Sequence, residues 1–70
     1  MSITKEKLDF TQRELEVLHL IKEGLSSREI AKAMDMSENT VETYRRNMIK
    51  KSGAKNMVVV VYAAQSCGLI

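Results

Sequence analysis

Seventy residues, 44% of them apolar and 29% charged, make one small globular domain and cannot hold two independent cores. No proline and only three glycines exclude a Pro-rich linker or low-complexity tail and favour helix over strand. A net charge of +2 does not by itself announce a nucleic-acid partner, but its distribution is uneven: residues 1–36 carry six basic and seven acidic groups, residues 37–55 five basic and two acidic, and residues 56–70 none.

Residues 1–9 read as an N-terminal arm and 10–70 as the domain. The arm lacks the apolar stretch of a secretory signal, and the longest apolar run in the chain, Met57 to Ala64, is far too short to span a bilayer. The single cysteine, Cys67, cannot form an internal disulfide, which fits a reducing cytoplasm. The expectation is a cytoplasmic protein with no membrane partner. A chain this small buries only about 60% of the surface that its unfolded form exposes, so its stability rests on packing or association.

Helix starts recur with the same local chemistry. Thr11 and Glu14 form a capping box, with Phe10 stapled on Leu15, and Ser26 and Glu29 repeat the box with Leu25 on Ile30. Ser37 caps a third start, with Met36 on Val41 and Glu38 beside the positive end of the helix dipole. Gly24, Gly53 and Gly68 supply the stops after the first, third and last helices. Apolar residues recur at helical spacing as Val17, Leu18 and Ile21, then Ile30, Ala31 and Met34, then Val41, Tyr44, Met48 and Ile49. The valine run 58–61 prefers strand on propensity alone, but a lone strand would have no partner, so helix is expected there. The fold class is therefore all-α: a four-helix bundle containing a helix-turn-helix, with helices at about 12–23, 27–34, 38–52 and 57–67.

The second and third helices are joined by only about three residues, Asp35-Met36-Ser37. Such a short connection gives the geometry of a helix-turn-helix, whose second helix enters the major groove of DNA. The third helix has the surface for that task, with Asn39, Thr40, Glu42, Thr43, Arg45, Arg46, Asn47, Lys50 and Lys51 at its non-core positions. In the last helix, Val60, Val61 and Ala64 can face the bundle, leaving Val58, Val59 and Tyr62 on another sector. An exposed apolar face with no charge in 15 residues points to self-association.

Three segments, Phe10-Thr11-Gln12-Arg13-Glu14-Leu15-Glu16-Val17-Leu18, Glu23-Gly24-Leu25-Ser26-Ser27-Arg28-Glu29-Ile30-Ala31 and Met36-Ser37-Glu38-Asn39-Thr40-Val41, together resemble the LuxR-type (GerE-type) DNA-binding domain of bacterial transcription regulators. The resemblance runs from about Phe10 to Ile70. It implies a domain that binds double-stranded DNA as a two-fold dimer, with the third helix for recognition and the fourth for dimer contacts. It also implies base contacts at Glu42, Thr43 and Arg46, and phosphate contacts at Ser26, Thr40, Asn47 and Lys50. RNA polymerase is a further candidate partner of such a regulator.

The departures from the pattern are informative. Glu42 stands where the family often has a basic residue; a carboxylate there repels phosphates, and cytosine N4 is the base group it could read. Tyr44 replaces the usual histidine of the Thr-Val-x-x-His pattern. Ser52 and Ala54 replace Leu and Val around the same glycine, which thins the core at about 0.8 kcal/mol per buried CH₂.

Other readings are weaker. Glu14 and Glu16 could be paired carboxylates, but capping accounts for Glu14 and no nucleophile accompanies them. His19 has no second His or Cys at ligand spacing, so neither metal nor cofactor is expected, and Cys67 reads as a small apolar residue. A sigma-factor region-4-like promoter-binding domain shares the opening motif and the helix-turn-helix, but the apolar fourth helix argues against it. A helical protein-interaction adaptor, binding through Val59 and Tyr62 with its basic helix merely solvated, is the reading from another class. An enzyme is the least supported, with no Gly-rich phosphate loop or nucleophile-base pair in sight.

Overall fold

Capped starts and a repeating apolar face produce four helices: α1 (Gln12–Lys22), α2 (Ser27–Ala33), α3 (Glu38–Ser52) and α4 (Met57–Ser66). They are seen in a computed structural model that describes residues 8–70. Every boundary lies within one residue of the expected one, and no strand occurs among the described residues. Of the expected arm, residues 1–7 lie outside the described residues. Leu8 belongs to the core: it is buried, with its carbonyl accepting from the Phe10 amide at 2.9 Å. A tight turn folds this apolar side chain back under the bundle two residues before the expected start at Phe10.

Both capping boxes close. Thr11 Oγ1 accepts from the Glu14 amide at 3.2 Å while the Thr11 amide donates to Glu14 Oε1 at 2.8 Å, and Ser26 and Glu29 repeat the pair at 3.2 and 2.8 Å. Ser37 Oγ accepts from the Thr40 amide at 3.1 Å. Asn56 Oδ1 accepts from the Val59 amide at 3.0 Å, so the valine run also begins on a cap. Caps of this kind stabilise a helix by about 1 kcal/mol each, and this one, together with burial of Val60, offsets the reluctance of valine to be helical.

The core draws on every element: Val17 and Leu18 of α1, Ile30 and Ala31 of α2, Val41 and Met48 of α3, and Met57, Val60 and Ala64 of α4. Ser52 is buried with them, but its hydroxyl is satisfied, donating to the Ile49 carbonyl and accepting from the Ala54 amide, both at 3.2 Å. The methylenes missing at Ser52 are thus exchanged for hydrogen bonds that close the end of α3. Gly53 follows at φ 74°, its amide donating to the Ile49 carbonyl, a left-handed stop that a side chain would strain. The α2–α3 turn uses the left-handed region at Asp35, φ 53°, a conformation that Asp tolerates better than most residues. The Met36 amide donates back to the Ala31 carbonyl at 2.9 Å, so the chain enters α3 directly from the end of α2.

Candidate nucleic-acid interface

α3 is divided lengthwise. Val41 and Met48 are buried and Tyr44 and Ile49 half-buried, whereas Asn39, Thr40, Glu42, Thr43, Arg46, Asn47 and Lys50 are exposed. At about 100° per residue, Asn39, Thr43, Arg46 and Lys50 form one row on the side away from the core. Hydrogen-bonding groups occupy the N-terminal half of that row and cations the C-terminal half. The Thr43 hydroxyl donates to the Asn39 carbonyl at 2.9 Å, which holds its methyl and oxygen in a fixed orientation. Thr40 Oγ1 lies 2.9 Å from Ser37 Oγ, and the Ser26 hydroxyl is exposed at the start of α2 beside its own cap.

Glu42 is tied in a way the sequence did not reveal. Its Oε1 accepts from the Ser27 hydroxyl on α2 and lies 3.9 Å from Arg45 Nε. Lys51 is a second surprise. Instead of joining the cations of the outer row, its ammonium reaches the buried Glu14 carboxylate at 2.6 Å. Burial pushes the Glu14 carboxyl upward, but the hydrogen bonds from Lys51 and the Thr11 amide outweigh it and the net shift is downward. The hydrogen bonds from Ser26 likewise hold Glu29 below the ordinary carboxylate range. α3 is therefore pinned at both ends, to α2 through Glu42 and to α1 through Lys51. Neither pair carries a local sequence signal, since the partners lie 15 and 37 residues apart.

The faces of α4 differ in the opposite sense. Val60 and Ala64 are fully buried, while Val58 is 77% and Tyr62 72% exposed. Val59, expected on the outer sector, is instead half-buried against the core, as is Val61. The two flank Val60 by about 100° on either side, so each is only partly covered. A cleft of about 380 Å³ runs beside Val58 and Tyr62, with Ile21, Arg45, Met57 and Val61 in its walls. His19 is exposed beside a separate apolar cleft of about 600 Å³, walled by α1, Met34 and the Leu69-Ile70 end. Cys67 is half-buried. Among the described residues no group of His, Cys, Asp and Glu is placed to hold a metal ion, and no helix is long and apolar enough to cross a membrane.

A short turn from α2 into a helix whose outer row carries hydrogen-bonding groups and then cations defines the helix-turn-helix class. The chain belongs to the luxR family of bacterial regulatory proteins (GerE), which matches residues 8–64. It is 42% identical over 64 residues to the regulatory protein SdiA of Escherichia coli (strain K12), a match covering 91% of this chain and 27% of SdiA. It is also 42% identical over 48 residues to the nitrate/nitrite response regulator protein NarP of the same strain, covering 69% of this chain and 22% of NarP. A crystal structure of E. coli SdiA matches over 100% of this chain and 28% of that one, with a TM-score of 0.89 and 40% identity. The chain thus spans about a quarter of the length of these relatives. It is a DNA-binding domain of the transcription-regulating kind, and not an enzyme.

Proposed function

We propose that the domain binds double-stranded DNA sequence-specifically as a two-fold dimer, with α3 in the major groove. The observation that carries this reading is the exposed outer row of α3, in which the hydrogen-bonding groups and the cations are segregated along the helix. Glu42, Thr43 and Arg46 read base edges, while Ser26, Thr40, Asn47 and Lys50 lie near phosphates and set the register. Arg46 suits guanine, which offers two acceptors to a guanidinium. The second copy packs through α4, on Val58 and Tyr62 with the outer edge of Val59. The support for that is an apolar patch on an uncharged helix beside a cleft that can receive a side chain. A regulator of this kind works in the cytoplasm, where bacterial DNA lies, and RNA polymerase is the partner it would address once on its site.

Selection of bound duplexes from a random pool tests all of this together. Two inverted half-sites centred about 10 bp apart are expected for a two-fold dimer. With about four phosphate contacts per subunit, log K should fall against log salt with a slope of about −3.6 per subunit. Binding that ignores salt, or no binding to any duplex at low salt, would overturn the reading in favour of a protein-interaction adaptor.

A further inference from the structure

Glu42 is out of place on a DNA-facing surface. Of the two carboxylates within residues 37–55, Glu38 lies in the first turn of α3, where the helix dipole favours an anion. Glu42 comes one turn later, next to Thr43 and one turn before Arg46, exposed on the helix proposed to enter the groove, where the DNA backbone repels a carboxylate. Its side chain is half-exposed and anchored. Oε1 takes the Ser27 hydroxyl and lies near Arg45, and among the described residues all its hydrogen bonding runs through that one oxygen. Oε2 is left as an acceptor. Ser27 has no competing duty, because the cap of α2 is its neighbour Ser26.

We propose that Ser27 is a positioning residue for Glu42, and that the pair makes α3 demand cytosine at one position of each half-site. This rests on the reading that α3 faces base edges. A loose glutamate would lose its rotamer freedom on binding and could swing away from any base, costing little with the wrong one. Held through Oε1, it loses that freedom when the domain folds and presents Oε2 in a set direction, so the repulsion from the phosphates is the same for every sequence. Only a base that donates a hydrogen bond there offsets it. In the major groove cytosine N4 is such a donor, whereas the adenine N6 donor sits beside the N7 acceptor and guanine and thymine offer acceptors. The carboxylate thus contributes selectivity by weakening every complex except one.

Duplex selection from a random pool, run in parallel on the unaltered 70-residue chain and on its Ser27→Ala, Ser27→Thr and Glu42→Gln variants, tests the proposal. The unaltered chain should yield one position per half-site confined to cytosine. Glu42→Gln should relax that position, reducing discrimination there by about tenfold, and should bind random duplex several-fold more tightly. Ser27→Ala leaves the net charge and the Ser26 cap intact and places a strong helix former in α2, so helix content by circular dichroism should not change. It should nonetheless relax the same position, and Ser27→Thr, which restores the hydroxyl, should restore the preference. Identical selected profiles for the unaltered chain and Ser27→Ala would overturn the positioning role. Equal tightening of all duplexes by Glu42→Gln would overturn the cytosine preference. An unaltered chain that selects no duplex at all would overturn the DNA-reading interpretation beneath both.

Discussion

Helices α3 and α4 follow one another in the chain and bury the same kind of face, Val41 and Met48 in one and Met57, Val60 and Ala64 in the other. Their outer faces are chemical opposites. α3 exposes amides, hydroxyls, cations and the carboxylates of Glu38 and Glu42; α4 exposes Val58 and Tyr62 and carries no charge at all. Inner faces are constrained mainly by volume and hydrophobicity, so they say that a bundle forms but not what it binds. A polar outer face costs nothing in water, whereas an apolar one adds a liability unless something covers it. On the function proposed above, the contrast separates two tasks, with DNA on the outer row of α3 and a second copy on the outer side of α4.

Substitutions can break that separation or sharpen it. The largest effect is expected on the shared inner face: Met48→Ala should cost about 2–5 kcal/mol in urea unfolding and impair DNA binding and association together through loss of the fold. Lys51→Ala comes next. It leaves the buried Glu14 carboxylate with the Thr11 amide but no cation, a loss of about 1–3 kcal/mol, with the lower end favoured because the Lys51 side chain is 40% exposed.

The same pair sets a pH dependence. The folded state holds the Glu14 carboxyl below its ordinary value of 4.5, so its contribution is fully present above that pH and is lost as pH falls through the lower folded value. Glu14→Gln should flatten the acid limb of a stability profile; an unchanged limb would mean that the pair does not hold in solution.

Arg46→Ala should leave unfolding almost unchanged while weakening duplex binding by about 1–3 kcal/mol and relaxing base preference at one position. Lys50→Ala should weaken all sequences alike and reduce the salt slope by about 1. The smallest change in stability, within about 0.5 kcal/mol, is expected for Val58→Asp, an exposed site in the first turn of α4 where the helix dipole favours an anion. Sedimentation should nevertheless show that this variant no longer self-associates on DNA. A variant that still pairs normally would remove α4 from the interface.

Much of the bundle was legible in the sequence because the signals that make it are local. Thr11 with Glu14 and Ser26 with Glu29 are three residues apart, and the apolar faces repeat within a single turn or two. The same reach limited what could be read of the site. The sequence placed Glu42 and Lys51 on α3 with other polar residues, but assigned neither the partner it has in the folded domain. It also divided the valines of α4 too cleanly: Val60 and Val58 went where a helical wheel puts them, but Val59 lies at the margin between buried and exposed, where a small change in helix orientation decides the outcome.

The sequence alone determined four helices, their caps and stops, the short α2–α3 turn and the concentration of positive charge on one helix, because each depends on interactions between neighbours a few residues apart. Only the tertiary structure decided that Leu8 joins the core, that Ser27 holds Glu42, and that Lys51 turns from the outer row to Glu14. Those contacts arise from how whole helices lie against one another, and no pattern confined to one helix encodes the distance between residues on two.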